Sequence, residues 1–308
     1  MKSFLGRYFF YPLRAVLVII LMIINDIILP SCVLMTAPFI WIMPTKKSQV
    51  FVFRCVNVLP WLWRGIGNAL LSVCIVGRLR LTKQGEIHSD RWYLLISNHQ
   101  CYMDILLVDK VTNRKAPPSR FFLKKALLWQ LPILSWVCWF LGYPFLDRRS
   151  KASPGKQDES VGVKKLRRDD ITKTKKACDL FKIAPTMPII YPEGTRFTKA
   201  KYEKQDSPFK YLLKPKAGGV AMILSELNKE LSGIINMTIN YSDEKPTVWR
   251  ILSGKIKYID VHYEILPVTE DLAGDYVVDR EYRTKIQKWL NAVWADKDSL
   301  LASLKAQE

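Results

Sequence analysis

Between Ala15 and Met43 the chain reads AVLVIILMIINDIILPSCVLMTAPFIWIM, an apolar run whose one charged side chain is Asp26. Lys2, Arg7 and Arg14 precede it, and Lys46 and Lys47 follow it. A helix needs about 20 apolar residues to cross a bilayer core, and this run supplies them. Residues 1–50 are therefore expected to form an N-terminal membrane segment, which removes them from the core of any soluble domain. Two arrangements suit the residues. A single tilted span holds Asn25 and Asp26 near the bilayer centre, at roughly 2.5–3.5 kcal/mol for the carboxylate. A hairpin bent at Asn25–Asp26 instead has arms of about 10–12 residues, too short to cross, so it re-enters from one side. A removable secretory signal fits less well, because the run is too long and no small-x-small cleavage site follows it.

Residues 51–76 remain apolar and aromatic but are interrupted by Arg54 and Arg64. That pattern suits amphipathic or membrane-surface helices. From residue 77 onward, short β-branched and aromatic runs alternate with helix-length segments. The runs are RLRLT at 78–82, WYLLIS at 92–97, RFFLK at 120–124, YPFLD at 143–147, PIIYP at 188–192, IINMTINY at 234–241 and KYIDVHYEI at 257–265. Alternation of this kind predicts an α/β sheet flanked by helices over 77–308. The segment from Arg280 to Leu304 closes it as an amphipathic helix, with Ile286, Leu290, Val293, Trp294 and Leu301 at helical spacing.

The 308 residues carry 47 Lys and Arg against 28 Asp and Glu, a formal net charge of +19. Such a chain is drawn to polyanions. Residues 148–176 concentrate the imbalance, with eleven basic side chains against four acidic ones after a Ser/Pro/Gly-rich start, and read as a solvated basic insertion. Anionic lipid head groups suit it, at roughly 1 kcal/mol per basic residue near a membrane surface. Beside an apolar membrane segment, lipid is the expected polyanion and nucleic acid is not. The six cysteines are scattered singly, and the three histidines make no ligand spacing with them, so no metal site is expected.

His99 follows directly on WYLLIS, where a strand ends and a helix begins, the edge at which α/β folds place their sites. A general-base imidazole needs its far nitrogen held by a carboxylate, and Asp104 stands five residues on. A second constellation, YPEGTRF from Tyr191 to Phe197, also ends an apolar strand; its Pro-Glu-Gly turn presents backbone N–H groups and Arg196 a planar fork suited to phosphate. KPKAGG, Lys214 to Gly219, opens a helix with two lysines and a glycine pair, a further candidate for anions. GYPFLDRR, Gly142 to Arg149, ends a strand in two arginines. Cys101 could pair with His99 as a nucleophile, but side chains two apart on a turn or early helix diverge. A G-x-S-x-G elbow is absent from the sequence.

Taken in order, these pieces resemble the motifs of the glycerolipid acyltransferase family. N-H-x4-D stands as Asn98, His99 and Asp104; glycine, apolar strand and arginine as Gly142, Phe145 and Arg148; F-P-E-G-T-R as YPEGTR, with Tyr191 in place of Phe. The stretch from Phe122 to Arg148 resembles the family's link from a lysine-bearing strand, with Lys124 or Lys125 at that lysine. The proline expected of a fourth motif is missing from IINMTINY. The resemblance implies an acyltransferase fold, a mixed sheet flanked by helices behind an N-terminal membrane-inserted helical segment, and a bacterial inner-membrane branch with the catalytic domain on the cytoplasmic face. It implies O-acyl transfer to lysophosphatidic acid or another lysophospholipid, such as lysophosphatidylglycerol or lysocardiolipin. His99 and Asp104 would be catalytic, while Glu193, Gly194, Thr195, Arg196, Arg148, Lys124 and Lys216 bind substrate. No cofactor is implied beyond acyl-CoA or acyl-carrier protein as co-substrate. The competing expectation, a non-catalytic basic membrane-surface protein, accounts for the charge and leaves the ordered motifs as coincidence.

Overall fold

The computed structural model describes residues 9–36, 43–75, 77–140, 143–146 and 160–306, with side chains left aside at 46–57, 124, 132, 140, 146 and 160–170. Two compact units divide the chain: one gathers 1–75, 122–173 and 252–254, the other 76–121, 174–251 and 255–308. This differs from the linear division at 50 and 76, because the Trp-rich stretch after Phe121 joins the N-terminal helices and leaves the α/β unit.

In the first unit, α1 (Tyr11–Thr36) runs unbroken through Asn25 and Asp26, so the chain does not bend there. A second long helix, α2 (Lys46–Ile75), takes the place of the shorter surface helices expected at 51–76 and carries Pro60 within it. Among the described residues, Tyr11–Thr36 and Val58–Ile75 are the two stretches long and apolar enough to cross a membrane. The Asn25 amide donates to the Trp63 carbonyl at 3.2 Å, and the Trp63 indole N–H donates to Asp26 at 2.7 Å. These bonds give Asn25 and Asp26 partners within an apolar pair of helices. Val33 packs near Leu59, so the helices run antiparallel.

The second unit is built on a six-stranded sheet. Its elements begin with β1 (Leu79–Gln84), β2 (Trp92–Ser97), α3 (Met103–Thr112) and β3 (Ser119–Phe121), and three further strands follow the excursion into the first unit. The excursion contains β4 (Leu123–Lys124), α4 (Leu127–Gln130), α5 (Pro132–Phe140) and β5 (Phe145–Leu146). RFFLK is thus split at Phe122 between two sheets, with β4 pairing in parallel with β5. Residues 147–159 lie outside the described ones. From Ser160 the basic insertion is helical, as α6 (Ser160–Lys182), since Lys, Arg, Leu and Ala there are good helix formers.

After α6 come β6 (Met187–Ile190), α7 (Lys199–Gln205), α8 (Gly218–Leu227), β7 (Leu231–Tyr241), α9 (Val248–Leu252), β8 (Ile259–Leu266) and α10 (Arg280–Ala306). The strand order is β1-β8-β7-β2-β6-β3, parallel except for the antiparallel β7/β8 pair. β2, β6 and β7 are buried at nearly every position, which is why their sequences read as apolar runs rather than alternating ones. Parallel pairing of Ile96 with Ile190 sets the carboxyl ends of β2 and β6 side by side. The segments that follow those two strands carry the first and third sequence motifs.

Candidate active site

The turn after β2 is made by side chains standing in for backbone. Asn98 is fully buried; its amide donates to the Ile239 carbonyl and its carbonyl oxygen accepts from the Ile239 N–H, both at 2.9 Å. One residue thus extends the β2–β7 ladder while releasing the main chain to turn. Gln100 adds a second bond to the Ile239 carbonyl at 2.9 Å. The following helix, α3, brings Asp104 back within reach in its first turn, where a carboxylate also complements the helix dipole.

Asp104 is fully buried and holds the loop through both oxygens. Oδ2 lies 2.8 Å from His99 Nδ1 and accepts from the backbone N–H groups of Gln100 at 2.6 Å and Cys101 at 3.0 Å. Oδ1 accepts from the Tyr241 hydroxyl at 2.6 Å. Bonding assigns the proton of neutral His99 to Nδ1, which leaves the Nε2 lone pair free to take a proton. The imidazole is 15% exposed, and the Tyr191 ring stacks on it at 4.3 Å between centroids and 25° between planes. Tyr191 thus supplies the flat wall that fixes the ring, with its hydroxyl buried behind.

Cys101 sits against this pair without serving it. Its thiol is pushed up to about 11 by burial and by the Asp104 charge, so it stays protonated near neutrality. It donates to the Tyr241 hydroxyl at 3.5 Å. Replacing Cys101 by Ala should therefore leave most of the turnover number intact, and alkylation at pH 7 should be slow. Rapid inactivation by iodoacetamide, protected by an acyl donor, would point instead to a thiol nucleophile.

The YPEGTR turn lies next to the histidine loop, joined to it by the Phe197 N–H, which donates to the His99 carbonyl at 2.7 Å. The Gly194 N–H bonds the Tyr191 carbonyl at 2.9 Å, and Gly194 has φ +68°, a conformation that glycine adopts without strain. Lys216 is exposed, and its ammonium lies 3.9 Å from where a Cβ on Gly194 would stand. Lys201 donates to Thr195 Oγ1 at 2.7 Å and to the Arg196 carbonyl at 3.0 Å, while the Arg196 guanidinium covers the Tyr102 ring at 3.8 Å. Arg196, Lys201 and Lys216 thus gather around Gly194 and Thr195.

Glu193 faces the other way. It is 1% exposed, and burial pushes its carboxyl up to about 8, against the pull of the His99 and Leu213 backbone N–H groups and of Lys297. Those N–H groups face the carboxyl without reaching ordinary hydrogen-bond geometry. Arg148 and Gly142 lie outside the described residues. Lys124 lies on β4 in the first unit, its side chain among those left aside. The structure therefore brings together His99, Asp104, Glu193, Gly194, Thr195, Arg196 and Lys216 from the sequence candidates. To them it adds Tyr241, Tyr191, Lys201 and, from the last helix, Gln287 and Lys297.

Gln287 brackets Lys216: its side-chain oxygen accepts from the Ala217 N–H and its amide donates to the Pro215 carbonyl, both at 3.0 Å. Lys297 was missed in the sequence, where its spacing of four from Val293 and from Leu301 is the signal that could have marked it as buried. Tyr241 gave no such signal, because its role depends on β7 lying beside β2.

The family model described as acyltransferase matches residues 78–241. Human 1-acyl-sn-glycerol-3-phosphate acyltransferase delta is 26% identical over 279 residues, covering 82% of this chain and 67% of the human one. A 2-acyl-1-lysophosphatidylinositol acyltransferase of Saccharomyces cerevisiae is 27% identical over 131 residues, covering 37% of this chain and 31% of the yeast one. Among solved structures, the 1-acyl-sn-glycerophosphate acyltransferase of Thermotoga maritima has the same fold, with a TM-score of 0.52 at 16% identity and coverage of 96% and 98% of the two chains. The eukaryotic sources of these sequence relatives do not single out a bacterial branch. Over half of the chain matches the family model, and the three motifs quoted from the sequence lie within that match, so this chain belongs to the acyltransferase family.

Proposed function

We propose that the chain transfers an acyl group from an acyl thioester to the free hydroxyl of lysophosphatidic acid, giving phosphatidic acid. The observation that carries this reading is a carboxylate-held imidazole with a free Nε2, beside Arg196, Lys201 and Lys216 on the neighbouring turn. Nε2 takes the hydroxyl proton as that oxygen bonds to the thioester carbonyl carbon; the C–S bond then breaks, and the proton passes from Nε2 to the departing thiolate. Asp104 keeps the ring oriented and stabilises its charged form, and no acyl-enzyme is needed. Thr195, Arg196 and Lys216 hold the acceptor phosphate, with Lys201 securing their turn. Glu193, buried, supports the loops from behind. Acyl-CoA or acyl-carrier protein serves as donor, and α1 and α2 hold the enzyme in a membrane facing the compartment where those donors are made.

A second acceptor is favoured by one observation, the yeast relative named for lysophosphatidylinositol. The test is a panel of lysophosphatidic acid, lysophosphatidylinositol, lysophosphatidylglycerol and lysocardiolipin with oleoyl-CoA and the purified protein in detergent. Fastest turnover is expected with lysophosphatidic acid, and a larger kcat/KM for another acceptor overturns that choice. Arg196→Ala should raise the acceptor KM by about 10-fold or more, the worth of a charge-assisted hydrogen bond, with a smaller effect on kcat. Gln287→Leu should raise the same KM more modestly by loosening the segment that carries Lys216. An unchanged acceptor KM in Arg196→Ala would place phosphate binding elsewhere.

A further inference from the structure

β7 runs on past the end of β2. Ser97, the last residue of β2, pairs with Met237, and the four residues after Met237 continue against β8 as far as Tyr241, which lies opposite Ile259. Alternation along the strand places Met237, Ile239 and Tyr241 on one face. The histidine loop turns over this overhang: Asn98 is bonded to Ile239, and the Tyr241 side chain reaches Asp104 in the first turn of α3. Tyr241 is fully buried. A buried hydroxyl costs free energy unless it is bonded, and packing alone would be served as well by Phe. This hydroxyl has two partners, accepting from the Cys101 thiol at 3.5 Å and donating to Asp104 Oδ1 at 2.6 Å. With the thiol on its oxygen, its one proton is committed to the carboxylate.

The groups bonded to the Asp104 carboxylate among the described residues are not equivalent. His99 Nδ1 and the N–H groups of Gln100 and Cys101 all converge on Oδ2, and all three residues belong to the loop that carries the imidazole. If that loop shifts, they shift with it. Tyr241 comes from another element and meets the other oxygen, Oδ1. Its strand is interior to the sheet, between β8 and β2, and so gives a rigid support. One carboxylate oxygen is thus held by the loop and the other by the sheet. This fixes rotation about the Asp104 Cβ–Cγ bond, and with it the direction in which Oδ2 meets His99. Freed of the Oδ1 bond, the carboxylate can turn, and the imidazole that it orients turns with it. Misplacing a reacting group by about 1 Å can cost about 100-fold in rate.

We propose that Tyr241 is a positioning residue for the transfer reaction: its hydroxyl anchors Asp104 to the sheet and so keeps His99 Nε2 aimed at the acceptor hydroxyl. This rests on His99 acting as the base. Being fully buried, Tyr241 is closed to both substrates, so its hydroxyl acts on turnover rather than on binding.

The test is steady-state kinetics of Tyr241→Phe on the full chain in detergent, with wild type, Cys101→Ala and His99→Ala alongside. Tyr241→Phe keeps the ring and removes only the hydroxyl. It should lower kcat at least about 10-fold, the worth of one hydrogen bond to a charged group, while the KM values for acceptor and donor stay within about twofold. Cys101→Ala removes the other partner of the same hydroxyl and should keep kcat within about twofold of wild type. An equal loss in Cys101→Ala overturns the proposal, because the effect then belongs to the thiol contact. A loss of kcat in Tyr241→Phe that comes with a similar rise in both KM values, or failure of that variant to fold, makes the hydroxyl structural and also overturns it. His99→Ala separates the two readings. Wild-type kcat in Tyr241→Phe beside an inactive His99→Ala overturns the present proposal alone, whereas retained kcat in His99→Ala overturns the base and this proposal with it.

Discussion

Asp104→Ala should be the most damaging single substitution in the α/β unit, lowering Tm by about 5 °C or more and reducing turnover to background. The stability loss follows from what the carboxylate holds. The Gln100 and Cys101 N–H groups, the Tyr241 hydroxyl and His99 Nδ1 all point at its two oxygens. Ala leaves these donors without an acceptor in a place closed to water, and each buried orphan costs about 1–3 kcal/mol. Asp104→Asn keeps the shape and can hold its oxygen toward His99, Gln100 and Cys101 with its amide toward the Tyr241 hydroxyl, but it loses the negative charge on these donors, so it should also be destabilised, by less. Differential scanning fluorimetry in detergent reads both. An Asp104→Ala protein with wild-type Tm would mean that the carboxylate does not organise this loop.

His99→Ala should behave in the opposite way, lowering kcat by at least about 100-fold, the scale of general-base contributions, while Tm and acceptor KM stay near wild type. The imidazole contributes one ring stacked on Tyr191 and one bond to Asp104, and it sits at the edge of the core rather than within it. Its loss removes proton transfer without emptying a large cavity. A His99→Ala protein that keeps more than a tenth of wild-type kcat on its best acceptor would assign the base to another group. A protein that loses both activity and fold would make the pair structural, in keeping with the non-catalytic reading.

Sequence periodicity located the sheet well, and motif order located the site. WYLLIS is β2 from its first residue to its last, and the His99–Asp104 contact follows from a turn ahead of a helix, as the spacing of five required. The long helix at 46–75 was harder to see, because Arg54 and Arg64 interrupt its apolar run and suggested shorter surface helices, whereas the helix continues through Pro60. Glu193 illustrates a different limit. Within YPEGTR it reads as one of a phosphate-binding set, but local sequence does not say which way a turn residue faces, and the fold directs it inward. Tyr241 and Gln287 depend on strand order and on the docking of α10, which are long-range properties without local signature. Lys297 lies between these cases: four positions from Val293 and from Leu301, it carries a local sign of burial, whereas its partners on β7 depend on the docking of α10.

Direct acyl transfer driven by His99 is the proposed mechanism. It is tested by following thiol release from oleoyl-CoA by the purified wild-type protein, before and after addition of lysophosphatidic acid, with His99→Ala as the blank. The expected result is thiol release that begins only when the acceptor is added, matched mole for mole by phosphatidic acid, and absent from His99→Ala. Thiol release without acceptor that leaves acyl groups on the protein, or equal release by His99→Ala, would contradict it.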